Sequence, residues 1–408
     1  MKVLFLHTNF PAQFPHLSMA LARDPRNQVI FATTREEGNL PGVHKLLFKK
    51  HREPRPETHN YLHSLENVVL QGQGLYRSLA KLKAKGFVPD IIYGHAGWGL
   101  PTFMKDLYPN TPLMCLFEWF YHAHGTDADF DPATPLTPDD ECRIRIKNVP
   151  ILIDLYSCDC GISPTYFQQS QFPPEFRRKI SVIHDGIDTD TIHPLPGAKL
   201  VIPEMNLDLS GVEEVVTYVA RGMEPYRGFP QFMESVGHIL TARPACHVVI
   251  VGADRVAYGR QLPDGKTYKQ AMLETVPLDM SRVHFTGLLP RNRYIQVLQA
   301  STVHVYLTRP FVLSWSMLEA MAAGCLVVGS DTAPVREVIE DGFNGRLVDF
   351  FSAQKIADCV IDVLENPRAT TAMRVRAREA IQERYALRKM LPLQIALLEK
   401  VASGRVKP

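Results

Sequence analysis

The amino-acid sequence predicts an α/β protein built from two parallel-sheet domains. The chain has 408 residues, which is enough for two or three domains. Short apolar segments alternate with helical patterns in both halves, as is typical of parallel sheets with helices on both faces. Between the halves, residues 191–211 contain three prolines and lack a helical period, so we interpret this segment as a linker.

The N-terminal half, residues 1–190, is predicted to form one Rossmann-like domain. Its strands are the apolar runs at 3–6, 28–32, 91–93, 113–117 and 160–162. Its helical patterns lie at 17–22, 66–85 and 99–107. Residues 122–140 are acidic and rich in proline, and we interpret them as a loop. Whether this loop is a substrate-contacting lid or a passive surface segment stays open.

The C-terminal half, residues 212–384, repeats the alternation and is predicted to form a second Rossmann-like domain. Its strands are the apolar runs at 215–219, 247–251, 283–285, 303–307 and 326–329. Helical patterns follow at 368–385 and 388–402. The pattern is interrupted near residue 385, so residues 385–408 form a separate last segment.

Composition excludes several classes of protein. The net charge is +2 and the basic residues are scattered, which argues against a nucleic-acid-binding protein. Seven cysteines, an odd number, favour reduced thiols in a cytosolic protein. No run approaches the ~18 apolar residues of a membrane span. The N-terminal MKVLFLH is too short for a signal peptide, so we expect a cytoplasmic protein.

The most informative segment, residues 303–331, has the sequence VHVYLTRPFVLSWSMLEAMAAGCLVVGSD. It predicts a buried strand, a tight loop, a short helix capped by Ser314 or Ser316, and a second buried strand after Gly324. A strand followed by a loop and a helix start presents backbone N–H groups and the positive end of the helix dipole to an anion. Glu319 lies about one turn into this helix, where a carboxylate suits sugar hydroxyls.

This segment resembles the donor-binding region of the retaining, nucleotide-sugar-dependent glycosyltransferases of family four. Four further segments match motifs of that family in the same order. They are HDGID at 184–188, VARGMEPYRGFPQFMESV at 219–236, VHFTGLLPRNRYIQVLQASTVHVYLT at 283–308 and TAPVREVIEDGFNGRLVD at 332–349. The resemblance covers most of the chain and is strongest over residues 180–350.

The resemblance implies a GT-B fold, in which two Rossmann-like domains face each other across an interdomain cleft. It further implies a nucleotide-diphospho-sugar donor, a UDP- or GDP-sugar, on the C-terminal domain. A glycan, lipid-linked or small-molecule acceptor would lie on the N-terminal domain, in polysaccharide or glycoconjugate assembly. The segment 385–408 would cross back to the N-terminal domain. No metal is expected, since the candidate Asp-X-Asp motif, Asp127 and Asp129, does not follow an apolar strand.

Arg221 and Arg227 are the predicted ligands of the donor's diphosphate. They flank a turn in which Gly222 allows close backbone approach, and two guanidinium groups on one loop suit an anion that accepts paired hydrogen bonds. In the resembled family an arginine and a lysine at matching places hold the diphosphate. Ser314, Trp315 and Ser316 align with that family's glycine-rich turn, whose amides bind phosphate or sugar.

Glu319 matches the second glutamate of the family's paired motif and is predicted to bind the donor. The first glutamate would fall at position 311, which is Phe311 here. Because the first glutamate contacts the transferred sugar in relatives, its replacement admits a sugar with an apolar edge, such as a deoxy sugar.

Three residues of the N-terminal half are predicted to face the reaction. His95 lies just past a strand, and the carboxyl ends of parallel strands are where open α/β sheets bind ligands. Glu118 ends another strand at about the place where relatives carry a histidine. Glu118 and His95 are the two predicted catalytic residues. Gln13, in the loop after the first strand, is predicted to bind donor phosphate or acceptor.

Three alternatives stay open from the sequence. A catalytically weak GT-B-like protein that only binds sugar nucleotides would explain Phe311, and a sugar-nucleotide epimerase would share the architecture. The basic stretch at 44–56 is either a strand followed by a solvated loop or a surface that contacts the inner membrane face peripherally. The sequence predicts neither the acceptor nor the oligomeric state.

Overall fold

The computed structural model describes residues 1–405 and divides the chain into two compact units. Unit 1 comprises Met1–Gly186 together with the C-terminal segment that begins at Arg388. Unit 2 comprises Ile187–Leu387. The predicted last segment, 385–408, extends into residues 406–408, which lie outside the described residues.

Unit 1 contains a seven-stranded sheet in which every neighbouring pair of strands is parallel. The strands are β1 (Lys2–Leu6), β2 (Gln28–Thr33), β3 (Val43–Leu47), β4 (Ile91–His95), β5 (Leu113–Leu116), β6 (Cys160–Ser163) and β7 (Ile180–Val182). Their order is β3-β2-β1-β4-β5-β6-β7, so the strand order reverses between β1 and β4. In such sheets the reversal marks the crevice where ligands bind.

The helices of unit 1 cover both faces of this sheet. They are α1 (Pro15–Ala22), α2 (His63–Ala84), α3 (Met104–Leu107), α4 (Pro138–Lys147), α5 (Val149–Ser157), α6 (Tyr166–Ser170) and α7 (Pro174–Arg177). The predicted helix at 99–107 is mostly wrong, because Gly97 and Gly99 adopt φ angles of 83° and 85° that a right-handed helix excludes. The loop predicted at 122–140 ends earlier than expected, because α4 begins at Pro138. Thr137 and Asp140 form a capping box at the start of this helix.

Unit 2 contains a six-stranded parallel sheet and a small antiparallel pair. The strands are β8 (Val201–Ile202), β9 (Leu207–Asp208), β10 (Val215–Gly222), β11 (His247–Ala253), β12 (Val283–Gly287), β13 (Val303–Tyr306), β14 (Leu326–Ser330) and β15 (Arg346–Val348). The large sheet has the order β12-β11-β10-β13-β14-β15, so its reversal lies between β10 and β13. The pair β8–β9 lies inside residues 191–211, which the sequence predicts to be a linker.

The helices of unit 2 follow the strands as crossovers. They are α8 (Phe229–Ala242), α9 (Tyr268–Thr275), α10 (Arg291–Ala300), α11 (Trp315–Ala322), α12 (Ala333–Arg336), α13 (Ala353–Glu365) and α14 (Thr371–Arg384). Every residue of α11 from Ser316 to Ala322 is buried. The predicted end of α11 is confirmed, because Gly324 adopts a φ of 85°.

The last helix, α15 (Leu387–Ala402), packs on unit 1. Its Leu398 and Val401 belong to the same core cluster as Val3 and Phe5 of β1. Gln394 Nε2 donates a hydrogen bond to the carbonyl of His184 at 2.9 Å. Among residues 1–405, no helix combines the length and the apolar character that a bilayer crossing requires.

Two glycines allow α2 to approach the loop that follows β4. A Cβ atom at Gly72 would lie 2.4 Å from the carbonyl oxygen of Gly99, and one at Gly99 would lie 2.1 Å from that of Val68. Real Cβ atoms do not come so near a backbone oxygen, so both positions require glycine. This contact sets the path of the chain immediately after His95.

We predict that Gly72→Ala destabilises the protein. The added methyl group clashes with backbone rather than with a flexible side chain, and overpacking of this kind costs about 1–3 kcal/mol. This loss exceeds the roughly 1 kcal/mol by which alanine is the better helix former. The measurement is the free energy of unfolding in urea, followed by circular dichroism.

Gly237→Ala in α8 is the matched control. A Cβ atom there would lie 3.4 Å from Val276 Cγ1 and 4.0 Å from the carbonyl oxygen of Pro277, both ordinary contact distances. Helix propensity then predicts a gain of up to about 1 kcal/mol. Equal effects of the two substitutions would contradict the proposed contact between α2 and the loop after β4.

Candidate active site

The reversal point of the unit 2 sheet lies between β10 and β13 and collects most of the predicted donor residues. Arg221 and Gly222 are the last residues of β10. Arg227 lies in the short 3₁₀ turn that leads into α8. The loop after β13 leads into α11, whose first residues are Trp315 and Ser316. We call this set of loops the unit 2 edge.

Arg227 is a buried cation whose hydrogen-bond acceptors are all uncharged. Its Nη1 donates to the hydroxyls of Tyr306 at 3.0 Å and Thr308 at 2.6 Å, and its Nη2 donates to the carbonyl of Val312 at 3.0 Å. Burial acts to lower the pKa of Arg227, but the phenolic groups around it, that of Tyr306 foremost, raise it above the ordinary value. The guanidinium therefore stays charged, and no carboxylate within residues 1–405 bonds to it.

Arg221 differs from Arg227 in being exposed. Within residues 1–405 its side chain makes no hydrogen bond or ion pair, so its guanidinium is available to a ligand. Gly222 beside it is needed for close approach, since a Cβ atom there would lie 2.5 Å from the carbonyl oxygen of Arg255. The loop after β11 can therefore pass directly against the end of β10.

Glu224 was not singled out from the sequence, although it lies between the two arginines. Its buried carboxylate accepts hydrogen bonds from the backbone N–H groups of Ala257, Tyr258 and Gly259 at 2.7–3.1 Å. These bonds tie the loop after β10 to the loop after β11. Glu224 therefore positions Tyr258, whose ring centroid lies 5.6 Å from the Arg227 guanidinium.

The start of α11 is linked to Arg227 through one hydroxyl group. The Ser314 N–H donates to the Tyr306 hydroxyl at 2.8 Å, and that hydroxyl also accepts from Arg227. Ser314 is the N-cap residue and accepts from the Ser316 N–H at 3.3 Å. The Trp315 side chain is partly exposed and Ser316 is buried. The helix N-terminus and the buried cation thus belong to one bonded network.

Glu319, one turn into α11, is buried and held by two donors. Arg291 Nη2 donates to Oε1 and the Tyr294 hydroxyl donates to Oε2, each at 2.6 Å. Both donors come from α10, and neither was predicted from the sequence. Because the two bonds fix the plane of the carboxylate, its remaining lone pairs have a defined direction.

Phe311 lies in an aromatic cluster around Arg227. Its ring centroid is 5.5 Å from that of Tyr226 and 5.3 Å from that of Tyr258, and the Arg227 guanidinium lies 6.0 Å from the Phe311 ring. A glutamate at this position would place a second charge in the cluster. The phenylalanine instead adds an apolar face beside the cation.

In unit 1, the three predicted residues meet at the carboxyl end of the sheet. Gln13 Nε2 donates to Glu118 Oε1 at 3.2 Å, and His95 Nε2 lies 3.5 Å from Glu118 Oε2. Gln13 follows β1, His95 ends β4 and Glu118 follows β5, so they span the reversal point of this sheet. The Gln13 Oε1 atom is buried without a hydrogen-bond partner among the described residues.

His95 and Glu118 stabilise each other's charged forms. Burial acts to lower the pKa of His95, but the hydrogen bond and charge of Glu118 raise it above the ordinary value. Burial acts to raise the pKa of Glu118, and the hydrogen bond and charge of His95 lower it. His95 Nδ1 faces the carbonyl of Ala96 at 2.9 Å, so both ring nitrogens face acceptors, as suits a protonated imidazole.

Asp154, on α5, supports the loop after His95 and was not predicted. It is fully buried and accepts hydrogen bonds from the Gly97 N–H and the Thr102 hydroxyl, both at 3.0 Å. Burial raises the pKa of Asp154 to about 7, against the smaller opposing effect of those two hydrogen bonds. The group that holds the loop therefore titrates near neutral pH.

The structure thus places seven predicted residues on the unit 2 edge and three at the sheet end of unit 1. The first set is Arg221, Gly222, Arg227, Ser314, Trp315, Ser316 and Glu319, and the second is Gln13, His95 and Glu118. Within residues 1–405, three or more His, Cys, Asp or Glu side chains nowhere cluster as metal ligands would.

Two parallel-sheet units with charged groups at their reversal points define a protein of the GT-B class. Comparison of the sequence with protein families gives one matching family for each unit. The profile described as "Glycosyl transferase family 4 group" matches residues 25–192, and that described as "Glycosyl transferases group 1" matches residues 207–384. The chain therefore belongs to the group 1 glycosyltransferases of the family 4 type, and the resemblance drawn from its motifs is confirmed.

Curated relatives match parts of the chain. The alpha-maltose-1-phosphate synthase of Mycolicibacterium smegmatis is 25% identical over 235 residues, which are 55% of this chain and 58% of the relative. The phosphatidyl-myo-inositol mannosyltransferase of the same organism is 36% identical over 88 residues, 22% of each chain. The chain thus spans less than two thirds of the curated relatives it matches.

Solved structures confirm the predicted GT-B fold over almost the whole chain. The Anabaena Alr3699/HepE structure in complex with UDP-glucose superposes with a TM-score of 0.71 at 16% identity, covering 98% of this chain and 100% of that one. The sucrose-phosphate synthase of Thermosynechococcus elongatus gives a TM-score of 0.72 at 16% identity, with coverages of 99% and 100%. At this identity the likeness concerns the fold.

We predict that Glu118→Gln lowers the pKa of His95. The substitution removes the charge that opposes burial, and burial alone favours neutral imidazole. The pKa of His95 should then fall below its ordinary value. The measurement is an NMR titration of the histidine ring signals, with the His95→Gln variant used for assignment.

Glu141→Gln is the control, because Glu141 pairs with His124 instead, at 3.2 Å. It should leave the His95 titration in place. A His95 pKa that is the same in the wild type and in Glu118→Gln would show that the two side chains are not electrostatically paired.

We predict that Asp154→Asn makes stability less dependent on pH. The pKa of Asp154 rises from 3.8 to about 7 on folding, so the folded state binds more protons between these values. Stability contributed by the protonated acid is therefore lost as the pH rises through this window. Relative to wild type, the variant should gain about 2–3 kcal/mol between pH 5 and pH 8.

The measurement is urea unfolding of both proteins at the two pH values. Asp159→Asn is a control, since Asp159 is a partly exposed carboxylate that pairs with Lys105. A difference between variant and wild type that is constant from pH 5 to pH 8 would contradict a raised pKa at Asp154.

Proposed function

We propose that this protein is a retaining glycosyltransferase that moves a sugar from a nucleotide-diphospho-sugar to an acceptor hydroxyl. The donor binds at the unit 2 edge and the acceptor at the sheet end of unit 1. The reaction serves polysaccharide or glycoconjugate assembly in the cytoplasm, with a glycan, lipid-linked or small-molecule acceptor. A UDP- or GDP-sugar is the donor, and UDP-glucose is the ligand named for the HepE structure.

The observation that carries the proposal is the pair of arginines at the unit 2 edge. Arg227 is a buried cation that no carboxylate of the described residues bonds, and a buried charge is costly unless an opposite charge compensates it. Arg221 is exposed and makes no bond within residues 1–405. A diphosphate would compensate Arg227 and accept hydrogen bonds from Arg221, in the geometry that guanidinium groups favour.

The same two arginines supply the catalytic effect on the leaving group. Negative charge grows on the diphosphate as the bond to the sugar breaks, and preorganised donors aimed at that charge stabilise the transition state. The N-terminus of α11 adds its partial positive charge at this edge. These groups provide the positive charge that a metal supplies in other transferases, so we infer that the reaction is metal-independent.

Glu319 fits a role in binding hydroxyls of the donor. Arg291 and Tyr294 occupy one lone pair on each carboxylate oxygen and leave others for hydroxyl donors. Trp315 and Ser316, at the start of the same helix, line its approach. Phe311, in place of the family's first glutamate, favours a donor sugar with an apolar edge, such as a deoxy sugar.

Glu118 fits the role of the carboxylate that stabilises positive charge at the reacting carbon. A sugar that loses its leaving group develops oxocarbenium character, which an ionised carboxylate stabilises. His95 keeps Glu118 ionised, since it lowers the pKa of that carboxyl. The unpartnered Oε1 of Gln13 offers an acceptor to a substrate hydroxyl, and Trp98, 49% exposed beside His95, offers an aromatic face.

We predict that Arg221→Ala lowers kcat/KM for the donor by roughly 100-fold or more, because one preorganised donor to the leaving group is lost. Fold stability should be unchanged, since the side chain is exposed and makes no hydrogen bond or ion pair within residues 1–405. The assay measures release of nucleoside diphosphate from a panel of UDP- and GDP-sugars. NMR of the product reports whether the anomeric configuration is retained.

Arg293→Ala is the matched control, because Arg293 is paired with Glu204 at 2.7 Å and takes no part in the proposed site. Its turnover should equal that of the wild type. Full turnover in Arg221→Ala would refute the diphosphate assignment, and inversion at the anomeric carbon would refute the retaining mechanism.

A further inference from the structure

Unit 1 contains a cavity that none of the predicted site residues lines. Its volume is about 420 Å³, within the range that binds small molecules. One wall is the segment after Glu118, from Phe120 to Thr126, and the other wall runs from Ser170 to Arg177 at α6 and α7. Because these segments follow β5 and β6, the cavity opens at the same end of the sheet as His95 and Glu118.

Two hydrogen bonds connect this cavity to the proposed catalytic carboxylate. Gln168 Nε2, on α6, donates to the backbone carbonyl of Glu118 at 2.8 Å. His122 Nε2 lies 2.8 Å from the carbonyl of Gln171 and so carries its proton there. These bonds tie Glu118 and His122 to α6 and to its C-cap residue Gln171, so a ligand in the cavity would be held at a fixed distance from Glu118.

The cavity presents three unused polar groups. Thr126 is 6% exposed, and its buried hydroxyl has no hydrogen-bond partner among the described residues. Arg177 donates from Nε to the carbonyl of Phe172 at 2.6 Å, which orients the guanidinium and leaves both terminal amino groups without a bonded partner in residues 1–405. The proton on His122 Nε2 leaves Nδ1 as an acceptor in the neutral ring.

The charge of the lining favours an anion. Arg177 is its one arginine or lysine, and none of the residues described as lining it is an aspartate or glutamate. His124, at the rim, is 65% exposed and already faces Asp129 at 3.4 Å and Glu141 at 3.2 Å. Within the described residues, the Arg177 guanidinium therefore has no carboxylate partner. The carboxylates near the cavity, Asp129 and Glu141, face His124 instead.

The ring and proline surfaces favour a sugar. Phe120 packs beside His122 with ring centroids 5.6 Å apart, and Pro173 and Pro174 contribute rigid apolar surface opposite. A pyranose ring needs such a partly apolar wall together with a few fixed donors and acceptors. The cavity thus combines a sugar-binding wall with one uncompensated cation.

We propose that this cavity is an acceptor subsite for a sugar residue that carries an anionic group, a carboxylate or a phosphate. The terminal amino groups of Arg177 bind the anion in a paired geometry, and the Thr126 hydroxyl and His122 Nδ1 bind ring hydroxyls. The subsite selects acidic glycans as acceptors for transfer beside Glu118. This inference rests on the proposed function for its role, but not for its binding chemistry.

The test measures glycan binding to the full chain by calorimetry, without any nucleotide. Trigalacturonate probes a carboxylate, glucose 6-phosphate probes a phosphate, and maltotriose is the neutral reference. At least one anionic probe should bind tenfold or more tightly than maltotriose, and the better of the two identifies the anion. Maltotriose binding as tightly as both would overturn the proposal.

Substitutions locate the binding. Arg177→Gln should weaken the anionic probe about tenfold, since a charge-assisted hydrogen bond is lost. Arg178→Gln is the matched control, because Arg178 is exposed and does not line the cavity, and binding there should equal wild type. If both variants lose the same affinity for the anionic probe, general surface charge explains the binding and the proposal is overturned.

Thr126→Val separates binding from folding. The hydroxyl has no partner within the described residues, so its replacement by a methyl group of the same shape should leave the melting temperature unchanged or raised. Binding of the anionic probe should still weaken several-fold. Unchanged binding in both Thr126→Val and Arg177→Gln would place the probe elsewhere and end the assignment.

The donor-site and subsite hypotheses fail separately. Arg221→Ala should lower kcat/KM for the donor by roughly 100-fold or more and leave probe binding intact. Arg177→Gln should raise KM for an acidic acceptor and leave the binding of UDP- or GDP-sugar intact. If the wild type binds no nucleotide-sugar, the proposed function alone is refuted. If it does not distinguish the anionic probes from maltotriose, the subsite alone is refuted.

Discussion

A parallel strand can join its neighbour only through a crossover, and this constraint places the loops that follow the strands of a sheet at one end of it. In each unit the strand order reverses once, between β1 and β4 or between β10 and β13. Loops on the two sides of a reversal run in opposite directions and leave a crevice. The charged side chains of the candidate site, His95 and Glu118 in unit 1 and Arg221 and Arg227 in unit 2, lie near these two places.

Buried charge is costly, and the protein compensates each buried group in a different way. Glu224 is satisfied by three backbone amides, and Glu319 is satisfied by Arg291 and Tyr294. Among the described residues, Arg227 donates only to hydroxyl and carbonyl oxygens and lies near aromatic rings, so no opposite charge compensates it there. Asp154 is held by two donors that are too few to offset burial. The groups left incompletely compensated are those nearest the proposed chemistry, as is common in enzyme active sites.

The family to which the chain belongs explains the architecture, and its own departures from the family pattern point to its substrate. Phe311 replaces a carboxylate and packs with Tyr226 and Tyr258, which adds apolar surface beside Arg227. The cavity in unit 1 adds the guanidinium of Arg177, which has no carboxylate partner within residues 1–405. Together these features support the proposal of a donor sugar with an apolar edge and an acidic acceptor.

Local sequence determined most of the strands, and it determined the helix that begins at Trp315 and its end near Gly324. Hydrophobic periodicity, capping hydroxyls and the conformational freedom of glycine all act within a few residues. Local sequence also placed Arg221, Arg227 and Glu319, because strand ends are visible as the ends of apolar runs. It did not indicate that Asp154 supports the loop after His95, or that Arg291 holds Glu319, since these pairs join elements 28 to 57 residues apart. Burial, which decides whether a charge is compensated and how its pKa shifts, exists only after the crossovers have packed, and tertiary structure alone determines it.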